Sequence, residues 1–225
     1  MRVCAAPPFA EDAPRVDDAR LRAHDLLRVA RLTLSGDEPE WVHDALARAP
    51  WVVVRRARAA TGFVAAGVRG NARSQRFGTW LNIEDIEISR SPEDLLDIDP
   101  QQDRAALPAL AALATLRETA SPLHDFVWGP TGSAGFELAT GVPTLTESSD
   151  LDILIRVPQR VDRATVDSLA RTLAQAASRA GTRIDAQLET PSGGVALAEL
   201  AAHRPHVLAR ASSGAQFVAD PWRAP

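Results

Sequence analysis

Lysine does not occur in these 225 residues, so all 25 basic side chains are arginine. A phosphate-binding loop of the Walker type needs a lysine after its last glycine, and that route to nucleotide binding is therefore excluded. Cysteine occurs once, as Cys4, which rules out an internal disulfide and suits a reducing cytoplasm. With five histidines and one cysteine there is no structural zinc pattern, and the one close pair, His203-x-x-His206, flanks Pro205 and reads as a surface turn. No apolar run approaches the ~20 residues that a membrane span requires. Residues 1–19, acidic and proline-bearing, lack the basic and apolar regions of a signal peptide and read as a disordered lead. The formal net charge of −4 lacks the basic excess of a nucleic-acid-binding domain.

What is present is ample for a packed core: 45% hydrophobic residues, with five tryptophans. The breaks in the chain divide it into an N-terminal α+β domain at 20–90, a polar linker at 91–103 bearing Pro92 and Pro100, with Pro92 as an alternative start of a short helix, and a second domain at 104–225. In the first domain the patterns predict helices over Ala23–Leu32 and Glu40–Arg48, a turn at Ser35–Pro39, and strands at Trp51–Arg56, Phe63–Arg69 and Trp80–Ile83. In the second they predict helices over Ala105–Thr119, Ser133–Thr140, Asp162–Ala180 and Val195–Ala202. Strands are predicted at Phe126–Trp128, along the apolar run after Asp150, and at Thr182–Leu188, His206–Ala211 and Gln216–Ala219.

The chemistry is concentrated between Asp125 and Val157. Asp150 and Asp152 are separated by one apolar residue at the head of an apolar run, so alternation on a strand points both carboxylates to one side. Such a pair suits Mg²⁺, which takes one or two protein carboxylates and leaves its other positions to water and phosphate oxygens. Upstream, Phe126-Val127-Trp128 leads into Gly129-Pro130 and then into a short helix starting at Gly132-Ser133. Free N–H groups at that helix start, with the Ser133 hydroxyl, can hold terminal phosphates, and Gly132 lets the backbone approach closely. Two other uses of these glycines fail: Thr131 stands where a nucleophile elbow needs glycine, and the spacing of Gly129, Gly132 and Gly135 is not that of a dinucleotide-binding turn. Asp185, on a strand after the helix from Asp162, is the candidate third carboxylate, with Glu189 as the alternative. Strand, Gly-Ser turn, short helix and a strand bearing Asp-x-Asp form the arrangement of the nucleotidyltransferase superfamily.

A narrower resemblance rests on the wording Trp-Gly-Pro-Thr-Gly-Ser-Ala-Gly-Phe-Glu-Leu-Ala-Thr-Gly from Trp128 to Gly141, followed by Ser-Asp-Leu-Asp at 149–152. With His24-Asp25-Leu26-Leu27-Arg28, Val52 to Arg56, Gly67-Val68-Arg69-Gly70, Arg73-x-x-Arg76 and Asp220-Pro221-Trp222, the chain resembles the phosphoribosyl-dephospho-CoA transferases over about residues 20–223. The resemblance implies transfer of 2′-(5-phosphoribosyl)-3′-dephospho-CoA from triphosphoribosyl-dephospho-CoA to a serine of the malonate decarboxylase acyl carrier protein, with release of pyrophosphate. In that scheme Asp150, Asp152 and Asp185 hold Mg²⁺, Gly132 and Ser133 hold the leaving pyrophosphate, and Asp185 helps to deprotonate the serine.

Arginines gather in the first half, at Arg55, Arg56, Arg58, Arg69, Arg73 and Arg76. Arg69, Arg73 and Arg76 are read as contacts for substrate phosphates or for an acidic carrier, since guanidinium binds both phosphate and carboxylate bidentately. Solvated surface arginine in a lysine-free composition is an equal reading for each. Two further function classes share the motif: another Mg²⁺-dependent nucleotidyltransferase, such as one that adenylylates a protein or small molecule, and a non-catalytic binding module of the same fold. The presence of both Asp150 and Asp152 weighs against the last.

Overall fold

The computed structural model describes residues 3–8, 15–16, 20–34, 36–72, 74–118 and 121–223. Most of the expected lead, Ser35, Arg73 and the end of the expected Ala105–Thr119 helix lie outside them. The chain forms two compact units, 1–91 and 92–225.

The first unit holds β1 (Val3–Cys4), β2 (Arg15–Val16), β3 (Leu26–Val29), α1 (Glu40–Arg48), β4 (Trp51–Val54), β5 (Ala59–Ala60), β6 (Phe63–Arg69), β7 (Arg76–Asn82) and β8 (Ile86–Arg90). Its main sheet runs β1-β7-β6-β4-β3-β8, and β2 pairs with β5. The helix α1 follows the prediction, with Val42 and Ala45 on one face and both buried. The helix expected over Ala23–Leu32 is instead β3. His24 adopts a left-handed φ of 76°, which no helix carries, and Leu26, Leu27 and Val29 lie buried in a strand paired on both edges, with β4 and β8. A strand buried on both sides is a short apolar run, which periodicity alone cannot tell from a buried helix turn. The strand expected at Trp80–Ile83 starts earlier, at Arg76, and stops at Asn82, whose side chain caps a 3-10 turn at Ile83–Asp85. Leu27, Val42, Val52, Val64, Val68, Phe77 and neighbours form this unit's core.

The second unit begins with a 3-10 helix at Glu93–Asp97, inside the stretch that reads as a linker. It packs on the strand that follows: a Cβ on Gly129 would lie 1.9 Å from the Pro92 carbonyl oxygen, so only glycine permits this approach. After α2 (Pro108–Glu118) come β9 (Val127–Pro130), α3 (Gly132–Thr140), β10 (Leu151–Arg156), α4 (Arg163–Ala180), β11 (Ile184–Thr190), β12 (Gly193–Ala196), α5 (Leu197–Ala201), β13 (Val207–Ala211) and β14 (Gly214–Val218). They build a sheet in the order β14-β13-β12-β11-β10-β9, mixed because β10 and β11 are parallel across α4 while the other pairs are antiparallel. The helix expected over Val195–Ala202 is shorter, because Gly193 to Ala196 pair with β11 as an extra strand before the chain turns helical at Leu197.

Crossover helix α4 starts where Asp162 accepts a hydrogen bond from the Thr165 N–H at 2.8 Å, and ends at Gly181 with φ 67°. Its buried Val166, Leu169, Leu173 and Ala176 face the sheet side, where Leu151, Ile153, Ile155 and Leu188 are also buried. The fold is thus α+β in two units. Among the described residues no helix is long and apolar enough to cross a membrane.

Candidate active site

Each element delivers one part of the site to the same end of the second sheet. β9 runs antiparallel to β10, with Pro130 opposite Ile153, so its last residue arrives beside the start of β10. There the Thr131 N–H donates to the Asp152 carbonyl at 2.8 Å, and the chain turns into α3 at Gly132. The start of α3, with its backbone donors, is thereby fixed against the strand that bears the carboxylates. Contact is close enough to dictate the residue. Gly132 has φ 58°, and a Cβ there would stand 2.0 Å from Asp152 Oδ2. Ser133 follows in the first turn of α3, half-buried.

Parallel pairing brings the third carboxylate in. The register sets Asp152 opposite Asp185, and neighbouring side chains in register point to the same face. Pairing continues outward beyond the strand ends: the Leu151 N–H donates to the Arg183 carbonyl at 2.9 Å and the Thr182 hydroxyl to the Ser149 carbonyl at 2.9 Å. Asp150 therefore sits beside Arg183 as Asp152 sits beside Asp185. The paired strand ends thus carry three carboxylates together with the Arg183 guanidinium. Arg183 Nη2 donates to Asp150 Oδ2 at 2.6 Å and lies 2.8 Å from Asp185 Oδ2. The hydrogen bond to Asp150 and the charge of Asp185 hold the guanidinium pKa above its already high ordinary value. Arg183 is 65% exposed and Asp185 49%, whereas Asp150 is 19% exposed, so the block opens to solvent on its Asp185 side.

Among the described residues, no three His, Cys, Asp or Glu side chains converge as a metal-ligand set. Mg²⁺ does not need three: one or two carboxylates suffice, with water and substrate oxygens for the rest. The donors are hard oxygens on one open face, and a cationic group already rests between two of them. On donor chemistry the residues fit the ion.

Two residues that sequence reasoning passed over organise the approach to Asp150. Glu137 in α3 is 6% exposed and accepts from the Thr144 N–H at 2.6 Å, the Leu145 N–H at 2.8 Å and the Arg104 guanidinium at 2.5 and 3.1 Å. Arg104 in turn donates to the Leu145 carbonyl at 2.8 Å. The buried Glu137 and half-buried Arg104 together tie down the loop between Gly141 and Asp150. Burial pushes the Glu137 carboxyl up, but the Arg104 guanidinium and the two backbone donors outweigh it and hold the carboxyl below its ordinary 4.5. The signal for Glu137 was present as a lone acid inside an otherwise apolar helix, Ala134 to Leu138. For Arg183 it was the same alternation used for the aspartates, since residues 183 and 185 share a strand face.

Glu189, the alternative third carboxylate, pairs in register with Arg156 at the far end of β10 and β11, so Asp185 is the acid beside Asp152. In the first unit Arg69 and Arg76 face each other across the β6–β7 hairpin, both half-buried, while Arg73 is outside the described residues. A separate cleft of about 370 Å³ in that unit, bordered by Arg31, Leu34, Phe63, Trp80 and Asp85, is lined by neither arginine.

Comparison with known proteins covers both units. Residues 22–92 match the N-terminal domain, and 95–221 the C-terminal domain, of the family described as phosphoribosyl-dephospho-CoA transferase MdcG. A phosphoribosyl-dephospho-CoA transferase of Pseudomonas aeruginosa is 46% identical over 204 residues, 89% of this chain and 93% of the relative. Those of Pseudomonas putida and Pseudomonas fluorescens are 43% and 42% identical, over 90% and 88% of this chain and 96% and 92% of theirs. No solved structure matches.

Proposed function

Because this chain belongs to the phosphoribosyl-dephospho-CoA transferase family, we propose that it moves the 2′-(5-phosphoribosyl)-3′-dephospho-CoA group from its triphosphate precursor to a serine hydroxyl of the malonate decarboxylase acyl carrier protein. Pyrophosphate is the leaving group. The observation that carries the reading is the block in which Asp152 stands beside Asp185, next to Asp150 and against the start of α3. The serine Oγ attacks the phosphorus nearest the ribose, the bond from that phosphorus to the pyrophosphate oxygen breaks, and the serine proton passes to Asp185, the exposed carboxylate. The N–H groups at Gly132 and Ser133 hold the departing pyrophosphate, as a helix start does for anions. Mg²⁺, held by Asp150 and Asp152 with Asp185 adjacent, would neutralise the triphosphate charge that builds during transfer. Arg69, Arg73 and Arg76 remain the first unit's candidates for contact with phosphate or with the carrier. One cysteine and no disulfide suit a cytoplasmic setting.

The test is the intact mass of the apo carrier protein after incubation with this protein, Mg²⁺ and triphosphoribosyl-dephospho-CoA, with ATP as competing donor. A gain equal to the phosphoribosyl-dephospho-CoA group supports the reading; an adenylyl gain points to the other nucleotidyltransferase class, and no gain refutes both. Asp150→Asn and Asp152→Asn should each abolish the gain while leaving the far-ultraviolet circular dichroism unchanged. Normal turnover in either variant would remove the carboxylates from the chemistry.

A further inference from the structure

Arg183 carries an inference about how the site is kept before substrate arrives. In-register acidic side chains repel, and here Asp152 faces Asp185 with Asp150 one step away. The sheet brings the Arg183 guanidinium to that block, and one of its nitrogens reaches both Asp150 and Asp185, at 2.6 and 2.8 Å. The side chain is 65% exposed, which leaves it solvent space to swing into. Its backbone is fixed by the pairing of the Arg183 carbonyl with the Leu151 N–H, so the guanidinium moves about a stationary root. Guanidinium also binds phosphate oxygens bidentately, whereas a carboxylate face alone repels a triphosphate.

We propose that Arg183 is a built-in counter-cation of the aspartate block, which yields its place to the incoming metal ion and then pairs with the triphosphate of the donor. The proposal rests on the metal reading given above. It makes two readouts move in opposite directions: losing Arg183 removes a competitor of the metal and a partner of the donor. An ordinary surface arginine would move neither beyond the effect of its net charge.

The experiment titrates the full-length protein with Mn²⁺, following free Mn²⁺ by electron paramagnetic resonance, for the wild type and for Arg183→Gln, Arg179→Gln and Asp152→Asn. Arg179, in the last turn of α4 and exposed, controls for the loss of one charge nearby. Arg183→Gln should bind Mn²⁺ about three- to tenfold more tightly than the wild type, the scale of two exposed ion pairs given up. It should also raise the KM for the triphosphate donor several-fold. Its metal-free melting temperature should fall and recover on addition of Mn²⁺, which separates a rearranged site from a misfolded chain. Equal Mn²⁺ shifts in Arg183→Gln and Arg179→Gln, or an unchanged donor KM in Arg183→Gln, overturn the proposal. Binding that Asp152→Asn weakens but Arg183→Gln leaves alone rejects only the role of Arg183. Binding indifferent to Asp152→Asn, or no binding at all, removes the metal reading and the proposal together.

Discussion

Gly132 carries two constraints at once, a left-handed φ of 58° and the Asp152 carboxylate where a Cβ would go. Backbone strain of this kind costs a β-carbon-bearing residue about 1 to 3 kcal/mol, and relief of the clash must come from moving Asp152. Gly132→Ala should therefore lower the urea midpoint and, separately, reduce kcat about 100-fold, the cost of misplacing a reacting group by about an ångström. A variant with lowered stability and normal kcat at saturating donor would show that Asp152 does not need this position. Ser133 sits one residue on, and Ser133→Ala keeps the backbone N–H groups that we assign to pyrophosphate, so only a partial loss is expected there.

At the level of elements, the ion pair of Arg104 and buried Glu137 joins the start of the second unit, helix α3 and the loop leading to β10. The folded-state pKa of Glu137 lies below its ordinary 4.5, so the stability it contributes is present in full above that value and is lost as pH falls through the lowered one. Glu137→Gln takes the charge partner from Arg104, which is half-buried, and should cost about 2 kcal/mol at pH 7. The penalty should shrink as the pH is brought down toward 3, as seen in urea unfolding of variant and wild type across that range. A penalty constant with pH would mean that the carboxyl titrates as an exposed group does. Arg156 and Glu93 make a comparable tie, with the Arg156 guanidinium bonded to both oxygens of Glu93 at 3.0 to 3.2 Å, which fixes the 3-10 helix at 93–97 to β10. In the sequence that element has two readings, a polar, proline-bearing linker or a short helix begun by Pro92, and the second is the one realised. Its order comes from packing on β9 at Gly129 and from this ion pair, neither of which is local.

For the whole molecule, each unit has its own sheet and its own buried apolar residues. The 92–225 unit begins at the helix that it clamps, and a fragment starting at Pro92 is expected to fold alone, with a cooperative thermal transition; a fragment without one would show that the first unit supplies part of its core. The metal reading has a test at this scale as well. Chelation with EDTA should stop transfer and leave the melting temperature nearly unchanged, and added Mg²⁺ or Mn²⁺ should restore the activity, because the ion serves the site and not the core. A collapse of the fold on chelation would contradict that division.

Periodicity in the sequence determined what is local. It set α1 at Glu40–Arg48, β6 at Phe63–Arg69 and the start of α3 near Gly132, since side-chain direction along a helix or strand follows from the backbone alone. The motif wording, read as a resemblance, gave the family. Tertiary structure decided everything that needs a partner. Leu26 to Val29 became a strand because β4 and β8 lie on either side of it, and Gly193 to Ala196 did so because β11 offers an edge. Asp185 came to lie beside Asp152, and Arg183 beside Asp150, through a register set across the whole of α4. Period-two alternation says which side a residue faces, but not which residue it will face. That choice belongs to long-range pairing, where burial of the apolar sides of β10 against α2 and of β11 against α4 admits one register, and a slip by one residue would turn a strand's aspartate into the core.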